Sequence, residues 1–395
     1  MSGASWKGFA WRVDLRRSAI VAALALVLAA CASDSAKKEN IEPPTSLLDL
    51  TPTLTVQRLW SASVGDGNGL TGAGLVPAVA AGRVFAADID GEIHAYDAAS
   101  GRRLWSKEVE SFSGGPGASA SLVVAGTIDG KAIGFDAETG EERWRARVSS
   151  EVITPPVLQD DYVIVVANDG RTHALDAADG RQRWAVDRGV PLLSLRGNSA
   201  PIVADSRVYV AAANGKVSAL GLTDGRQLWE TSIGVAEGRT DLERMSDLDG
   251  KMAFLNGDLF VAGYESGAQS LTGDAGRTLW TRKMSSVAGL AAGREAVFVS
   301  ATDGTLWALD RRTGGSLWMI ETLKYRMLSA PVLMGDYVVV GDLEGYLHWF
   351  SRAEGTPAAR EKLGDEGFGG GLVVVDDVLY VQNRDGSLGA FRQTQ

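Results

Sequence analysis

The chain has 395 residues with 39 Lys+Arg against 49 Asp+Glu, a net charge of −10. An acidic body disfavours nucleic acid, whose recognition needs a basic footprint, and gives no charge-driven attraction to anionic lipid. A single cysteine excludes a framework of internal disulfides, so packing must stabilise the fold.

Residues 1–30 read as a leader. Lys7, Arg12, Arg16 and Arg17 precede the apolar run Ala19 to Ala30, which ends at Cys31. Those twelve apolar residues fall short of the roughly twenty that a membrane-spanning helix requires. A basic head and a short apolar run ending in small residues fit a secretory signal. Leu28-Ala29-Ala30-Cys31 resembles the bacterial lipobox, whose cysteine sulfur takes a diacylglycerol and becomes the new N-terminus. The alternative is an ordinary signal peptide with Cys31 as a bystander, but this lone cysteine stands where a lipobox needs it. Acyl chains contribute about 0.8 kcal/mol per buried methylene, so several together anchor a domain. Ala32 and Ser33 follow, with no Asp at the second position, and by the same resemblance this favours outer-membrane sorting. Removal of residues 1–30 leaves 35 Lys+Arg against 48 Asp+Glu, a mature net charge of about −13. Residues 31–55 are polar, with Pro43, Pro44, Pro52 and the run Lys37-Lys38-Glu39, and read as a flexible tether.

From residue 56 onward one phrase recurs. Asp90-Gly91-Glu92-Ile93-His94-Ala95-Tyr96-Asp97 leads through Gly101 to Trp105, and returns from Asp129-Gly130 to Trp144 and from Asp169-Gly170 to Trp184. Looser copies run from Asn214-Gly215 to Trp229, Ser266-Gly267 to Trp280 and Asp303-Gly304 to Trp318, and two more around Gly345 and Gly386 lack the tryptophan. Successive anchor glycines lie 39, 40, 45, 52, 37, 41 and 41 residues apart. A period near forty made of short strands predicts an all-β, eight-bladed β-propeller of four-stranded antiparallel blades over residues 56–395. The last copy stops before supplying an outer strand, while Val56-Gln57-Arg58-Leu59-Trp60 is an orphan outer strand. Joining the two closes the ring and leaves no unpaired edge at the seam.

Within a repeat the chemistry is structural. Alternation in Arg83-Val84-Phe85-Ala86-Ala87 predicts a half-buried strand, and Asp-Gly a tight hairpin, since glycine reaches positive φ at no steric cost. The Asp closing the next strand can cap the following turn. Trp60, Trp105, Trp144, Trp184, Trp229, Trp280 and Trp318 fall at one structural position and are assigned to the core between blades rather than to an aromatic binding surface.

No catalytic, metal or cofactor residues are nominated. His94, His173 and His348 each stand three residues after an anchor glycine, a slot held elsewhere by Ser218 and Trp307. The three should therefore be far apart, whereas a metal needs converging ligands. The Asp-Gly turns lack the alternating acids of calcium loops. The sequence has no G-x-S-x-G, HExxH or P-loop.

Function in a repeat protein sits where the period breaks. Two consecutive connections are over-long: Asp187 to Asn198, and Val235 to Phe254. Both join an outer strand to the next blade's inner strand and so emerge on one face of adjacent blades. The first offers Leu192, Leu193 and Leu195 beside Arg196, and the second offers carboxylates beside Arg244. Apolar anchors ringed by charge suit a protein-docking patch. The plainer alternative is that the leucines tuck under the ring.

The repeats resemble those of quinoprotein-type propellers, with Ala137-Glu138-Thr139-Gly140 close to their signature. The lipobox, the eight repeats, Leu193-Ser194-Leu195-Arg196-Gly197-Asn198-Ser199-Ala200-Pro201 and Arg244-Met245-Ser246-Asp247-Leu248-Asp249 together resemble the BamB family. These are propeller lipoproteins of the outer-membrane β-barrel assembly (Bam) machinery. The resemblance runs from Cys31 to the end and is most specific in the two loop phrases. It implies a non-catalytic scaffold, lipid-anchored at Cys31 to the periplasmic face of the outer membrane. Leu193, Leu195, Arg196, Asp247 and Asp249 would dock the POTRA domains of the barrel insertase BamA, and unfolded barrel precursors are a further expected partner. Leu192 and the seventh blade's missing tryptophan depart from that pattern. Two other readings are a pyrroloquinoline-quinone dehydrogenase on the same repeats and a periplasmic adaptor propeller with another partner. The enzyme needs an axial cofactor pocket and a metal ligand set, and nothing in the sequence nominates either.

Overall fold

A computed structural model describes residues 42–67, 74–189, 199–233 and 248–394. The chain divides into two units, 1–43 and 44–395, and the second holds the whole ring. Cys31 lies outside the described residues.

Eight four-stranded antiparallel sheets follow one another along the chain, and the first seven are built in chain order from the inside out. Blade 1 is typical: Ala78–Ala80 innermost, then Arg83–Ala87, Glu92–Asp97 and the outer strand Arg103–Glu108. The innermost strands of consecutive blades meet around the axis. Blade 8 is made from both ends of the chain. Thr55–Ser63 pairs antiparallel with Ser387–Thr394, from Thr55 opposite Thr394 to Ser63 opposite Ser387, and supplies the outer strand. This is the predicted closure.

The second and third strands of each blade differ from the half-buried expectation. Val84, Phe85, Ala86 and Ala87 are all buried, as is the whole of Leu122–Gly126. A blade is sandwiched between two others, so both faces of its middle strands are covered and both must be apolar. Only the outer strands alternate cleanly, as in Glu142–Arg147, where Trp144 alone is buried.

One bond recurs at the blade junctions. The indole Nε1–H of Trp105 donates to the Ala137 carbonyl at 3.2 Å, Trp144 to Ala177 at 3.0 Å and Trp184 to Leu222 at 2.9 Å. Trp60, Trp229, Trp280 and Trp318 do the same to Ala98, Gly273, Arg311 and Arg352. Each acceptor belongs to the turn between the third and outer strands of the next blade. The glycine of that turn lies flat under the ring: a Cβ at Gly180 would fall 2.5 Å from Trp144 Cε3. That turn is also capped by its Asp, as expected, with Thr139 N–H donating to Asp136 Oδ1 at 2.9 Å. The tryptophans are therefore junction locks.

The tether expectation requires correction. Residues 45–54 are not a free spacer but lie against blade 7. Thr45 N–H donates to the Lys324 carbonyl at 3.1 Å, and Arg360 Nη1 donates to the Leu48 carbonyl at 3.1 Å. Thr53 and Leu54 N–H groups both reach the Ala358 carbonyl, at 2.9 and 3.2 Å. Leu54 joins the buried cluster of blades 7 and 8, and Leu47 packs against that of blades 6 and 7. Blade 7 has alanines where other outer strands carry tryptophan. Its flank thus leaves apolar surface for Leu47 and Leu54 to cover, and burying them offsets the entropy of fixing the segment.

Candidate functional site

Because the strands are antiparallel, the Asp-Gly hairpins and the connections from outer strand to next inner strand emerge on the same face. The described stems of both over-long connections lie on this upper face, at the consecutive junctions of blades 3 and 4 and of blades 4 and 5. Leu193, Leu195, Arg196 and Asp247 lie outside the described residues. Asp249 is described and half-buried.

The stems of both connections are fixed to the ring. At the first, Arg171 Nη2 pairs with Asp187 Oδ2 at 2.6 Å, and Asp187 Oδ1 accepts the Gly189 N–H at 3.0 Å. Arg188 turns inward, donating to the Val210 carbonyl at 3.3 Å and to Thr172 Oγ1 at 3.2 Å. Burial pushes its guanidinium down to about 10, against the attraction of Glu230. The returning stem enters through buried Ser199.

At the second, Leu248 is only 2% exposed and joins Ile233, Met252 and Val261 in the core between blades 4 and 5. Leu248 thus tucks under the ring between the two candidate aspartates, whereas Leu192, Leu193 and Leu195 lie outside the described residues. Gly250 follows, where a Cβ would sit 2.7 Å from the Gly289 backbone of blade 6. Lys251 N–H donates to the Ala288 carbonyl at 3.0 Å, and Leu290 N–H returns a bond to the Lys251 carbonyl at 2.9 Å. Asp249 is therefore held one residue from a core anchor and one from a backbone clamp, which fixes where its carboxylate starts. Arg188 and Leu248 lie within the two connections the sequence singled out, but their seating roles were not legible in it.

The three histidines occupy one strand position in blades 1, 3 and 7, each with its own partners. His94 Nε2 meets Glu92 at 3.1 Å, His173 Nε2 meets Ser149 Oγ at 2.9 Å, and His348 Nε2 meets Asp342 Oδ2 at 2.9 Å. Burial lowers the pKa of all three. Among the described residues, no group of acidic, His or Cys side chains has the geometry to hold a metal ion. No described helix is long and apolar enough to cross a membrane.

A family model described as "Outer membrane protein assembly factor BamB" matches residues 53–114 and 90–320. The chain belongs to the BamB family. A BamB from Xanthomonas campestris is 39% identical over 97% of this chain and 99% of its own length. Another from Pseudomonas aeruginosa is 38% identical over 95% and 98%. The crystal structure of BamB from Moraxella catarrhalis matches with a TM-score of 0.78 at 30% identity, covering 86% of this chain and 100% of that one. The quinohemoprotein alcohol dehydrogenase of Comamonas testosteroni has the same fold, with a TM-score of 0.66 at 14% identity. At that identity only the architecture is shared. The BamB relatives are named for assembly rather than for catalysis.

Proposed function

We propose that this propeller is a non-catalytic scaffold of outer-membrane protein assembly, held at the periplasmic face of the outer membrane by lipid on Cys31. Its upper face docks the POTRA domains of the barrel insertase BamA. The observation that carries the reading is the pair of over-long connections, at consecutive junctions of one face, in a chain of the BamB family. Leu193 and Leu195 supply apolar anchors, while Arg196, Asp247 and Asp249 set orientation through charged hydrogen bonds. The fixed stems at Arg188 and Leu248 support it, because a preorganised surface loses less entropy on docking. Barrel precursors are a further class of client.

The test is a pull-down of the purified lipidated full chain with the purified periplasmic domains of the host's BamA. Wild type is compared with the double variant Arg196→Ala/Asp247→Ala after circular dichroism shows both folded. Binding by wild type alone supports the reading. Equal binding by both removes the site, and no binding by either removes the partner.

A further inference from the structure

A third connection on the upper face, residues 321–328 between blades 6 and 7, has an unusual construction. Its side chains alternate sharply in burial. Leu323, Arg326 and Leu328 point into the protein at 2%, 2% and 7% exposure, whereas Tyr325 and Met327 are 42% and 67% exposed. No other large apolar side chain among the described residues is more exposed than Met327.

The two outward residues both have left-handed backbone, with φ of 61° at Tyr325 and 46° at Met327. Neither is a residue type that tolerates this conformation well, and such strain persists only where surroundings over-determine it. Here they do. Tyr325 N–H donates to the Asp303 carbonyl at 2.8 Å, and Gly304 beneath has no room for a Cβ, which would fall 2.4 Å from the Leu323 carbonyl oxygen. Between the two displayed side chains, buried Arg326 is held by Asp342 Oδ2 at 2.8 Å, by Glu344 and by the Thr45 carbonyl at 2.9 Å. The loop is thus a rigid, strained mount for two apolar side chains that face solvent.

The surroundings define what fits. Asp303, Glu321, Asp342 and Glu344 border the loop, where Lys324 pairs with Glu321 and Arg326 with both Asp342 and Glu344. The rim therefore keeps an excess of carboxylate. Aromatic and methionine side chains are enriched at protein interfaces. An acidic rim opposes an anionic membrane surface and complements a basic one.

We propose that loop 321–328 is a second docking element for the barrel-insertase partner. Tyr325 and Met327 enter an apolar recess on its periplasmic domains, and Lys or Arg side chains around that recess meet Asp303, Glu321 and Glu344. This rests on the docking reading above and extends it to a site two junctions along the same face.

The test titrates the purified lipidated full chain against the purified periplasmic domains of the host's BamA at two ionic strengths. Four variants are compared with wild type: Met327→Glu, Tyr325→Gly, Arg196→Ala and, as a control on the outer strand of blade 4, Leu228→Glu. Met327→Glu is expected to weaken binding at least tenfold, and Leu228→Glu to leave it unchanged. Tyr325→Gly separates display from structure. It relieves the backbone strain, so its melting temperature should equal or exceed that of wild type while its affinity falls. Wild-type association should also slow as salt rises. If Met327→Glu and Tyr325→Gly bind as wild type does while Arg196→Ala is weakened, this inference fails and the docking reading stands. If wild type itself does not bind, both fail.

Discussion

Trp349 stands directly across the sheet from Ala359 in blade 7, with the large side chain on the third strand and the small one on the outer strand. The other blades have the reverse. Ala95 faces Trp105, Gly134 faces Trp144, Ala174 faces Trp184 and Ala219 faces Trp229. Ser270, Ala308 and Ala390 likewise face Trp280, Trp318 and Trp60. The seam accounts for the exchange. An outer tryptophan needs the carbonyl and bare glycine of the next blade's outer turn. Blade 8 has no such turn, because its two outer strands come from opposite ends of the chain. In blade 7 the indole sits one strand further in, fully buried and edge-on to Phe391 of blade 8 at 6.5 Å.

That difference separates two substitutions of the same kind. Trp144→Phe removes a donor and leaves the part-buried Ala177 carbonyl without its bond, costing about 0.5–1.5 kcal/mol beyond the lost volume. Trp349 Nε1 has no acceptor among the described residues, so Trp349→Phe loses volume alone and should be the milder change. Trp349→Ala is expected to cost about 3–5 kcal/mol. Urea unfolding of the three variants checks the order, and equal losses for the two phenylalanine variants would count against the junction bond.

The glycine half of the lock is tested by Gly180→Ala against Gly257→Ala. Both glycines have positive φ, 71° and 85°, but only Gly180 lies under a tryptophan, while Gly257 faces open space. Backbone strain alone should cost about 1 kcal/mol at Gly257. Gly180→Ala adds a clash with Trp144 and should cost clearly more. Thermal melts of the two variants measure the gap.

Leu47 and Leu54 give residues 45–54 a measurable role. A chain beginning at Val56 should be less stable than one beginning at Pro44 by about 2–4 kcal/mol, from the apolar area returned to water. Equal melting temperatures for the two would return the segment to the status of a spacer.

Arg326 and Asp342 are both buried, with side-chain exposures of 3% and 0%. Arg326→Met strands a buried carboxylate and should cost about 3–5 kcal/mol. Glu344 is half exposed, so Glu344→Gln should cost less than about 1 kcal/mol although it removes a partner of the same arginine. Denaturant titration of both variants tests whether burial sets the difference.

Acid should weaken the fold in two stages. Burial holds the His94, His173 and His348 rings below their ordinary pKa, against Glu92 at His94, Gln182 and Asp169 at His173, and Asp342 at His348. A group lowered on folding contributes stability that is present above its unfolded pKa and lost as pH falls below it. The first loss therefore begins near pH 6.5. Burial opposes the Asp342 carboxylate, but His348 and Arg326 outweigh it and hold its pKa low. Its contribution is present above about pH 4 and is lost only below that. Urea midpoints measured from pH 8 to pH 3 should show both steps, and His173→Gln should shrink the first.

Much of this was written in residue spacing. The anchor glycines mark eight blades, and Trp60 ahead of the first repeat matches the outer strand missing after Phe391. The site was legible only as a break in that spacing. Two over-long connections identify the face, but a period says nothing of which residues seat their stems. Arg188 and Leu248 do so through partners brought near by the ring alone. Loop 321–328 escaped notice because it barely lengthens its repeat. Its character lies in backbone angle and burial, which residue counts do not record.

The sequence by itself determined the propeller, since the period near forty, the Asp-Gly turns and the outer-strand tryptophans of seven blades act locally and repeat. Only the tertiary structure decided what happens at the seam. There Trp349 replaces a lock that has no turn to hold, and residues 45–54 cover the flank left by Ala358 and Ala359, while between blades 6 and 7 Arg326 mounts Tyr325 and Met327 on the upper face. Each of these joins residues far apart in the chain, and their energy comes from burial and buried charge that exist only once the ring has closed.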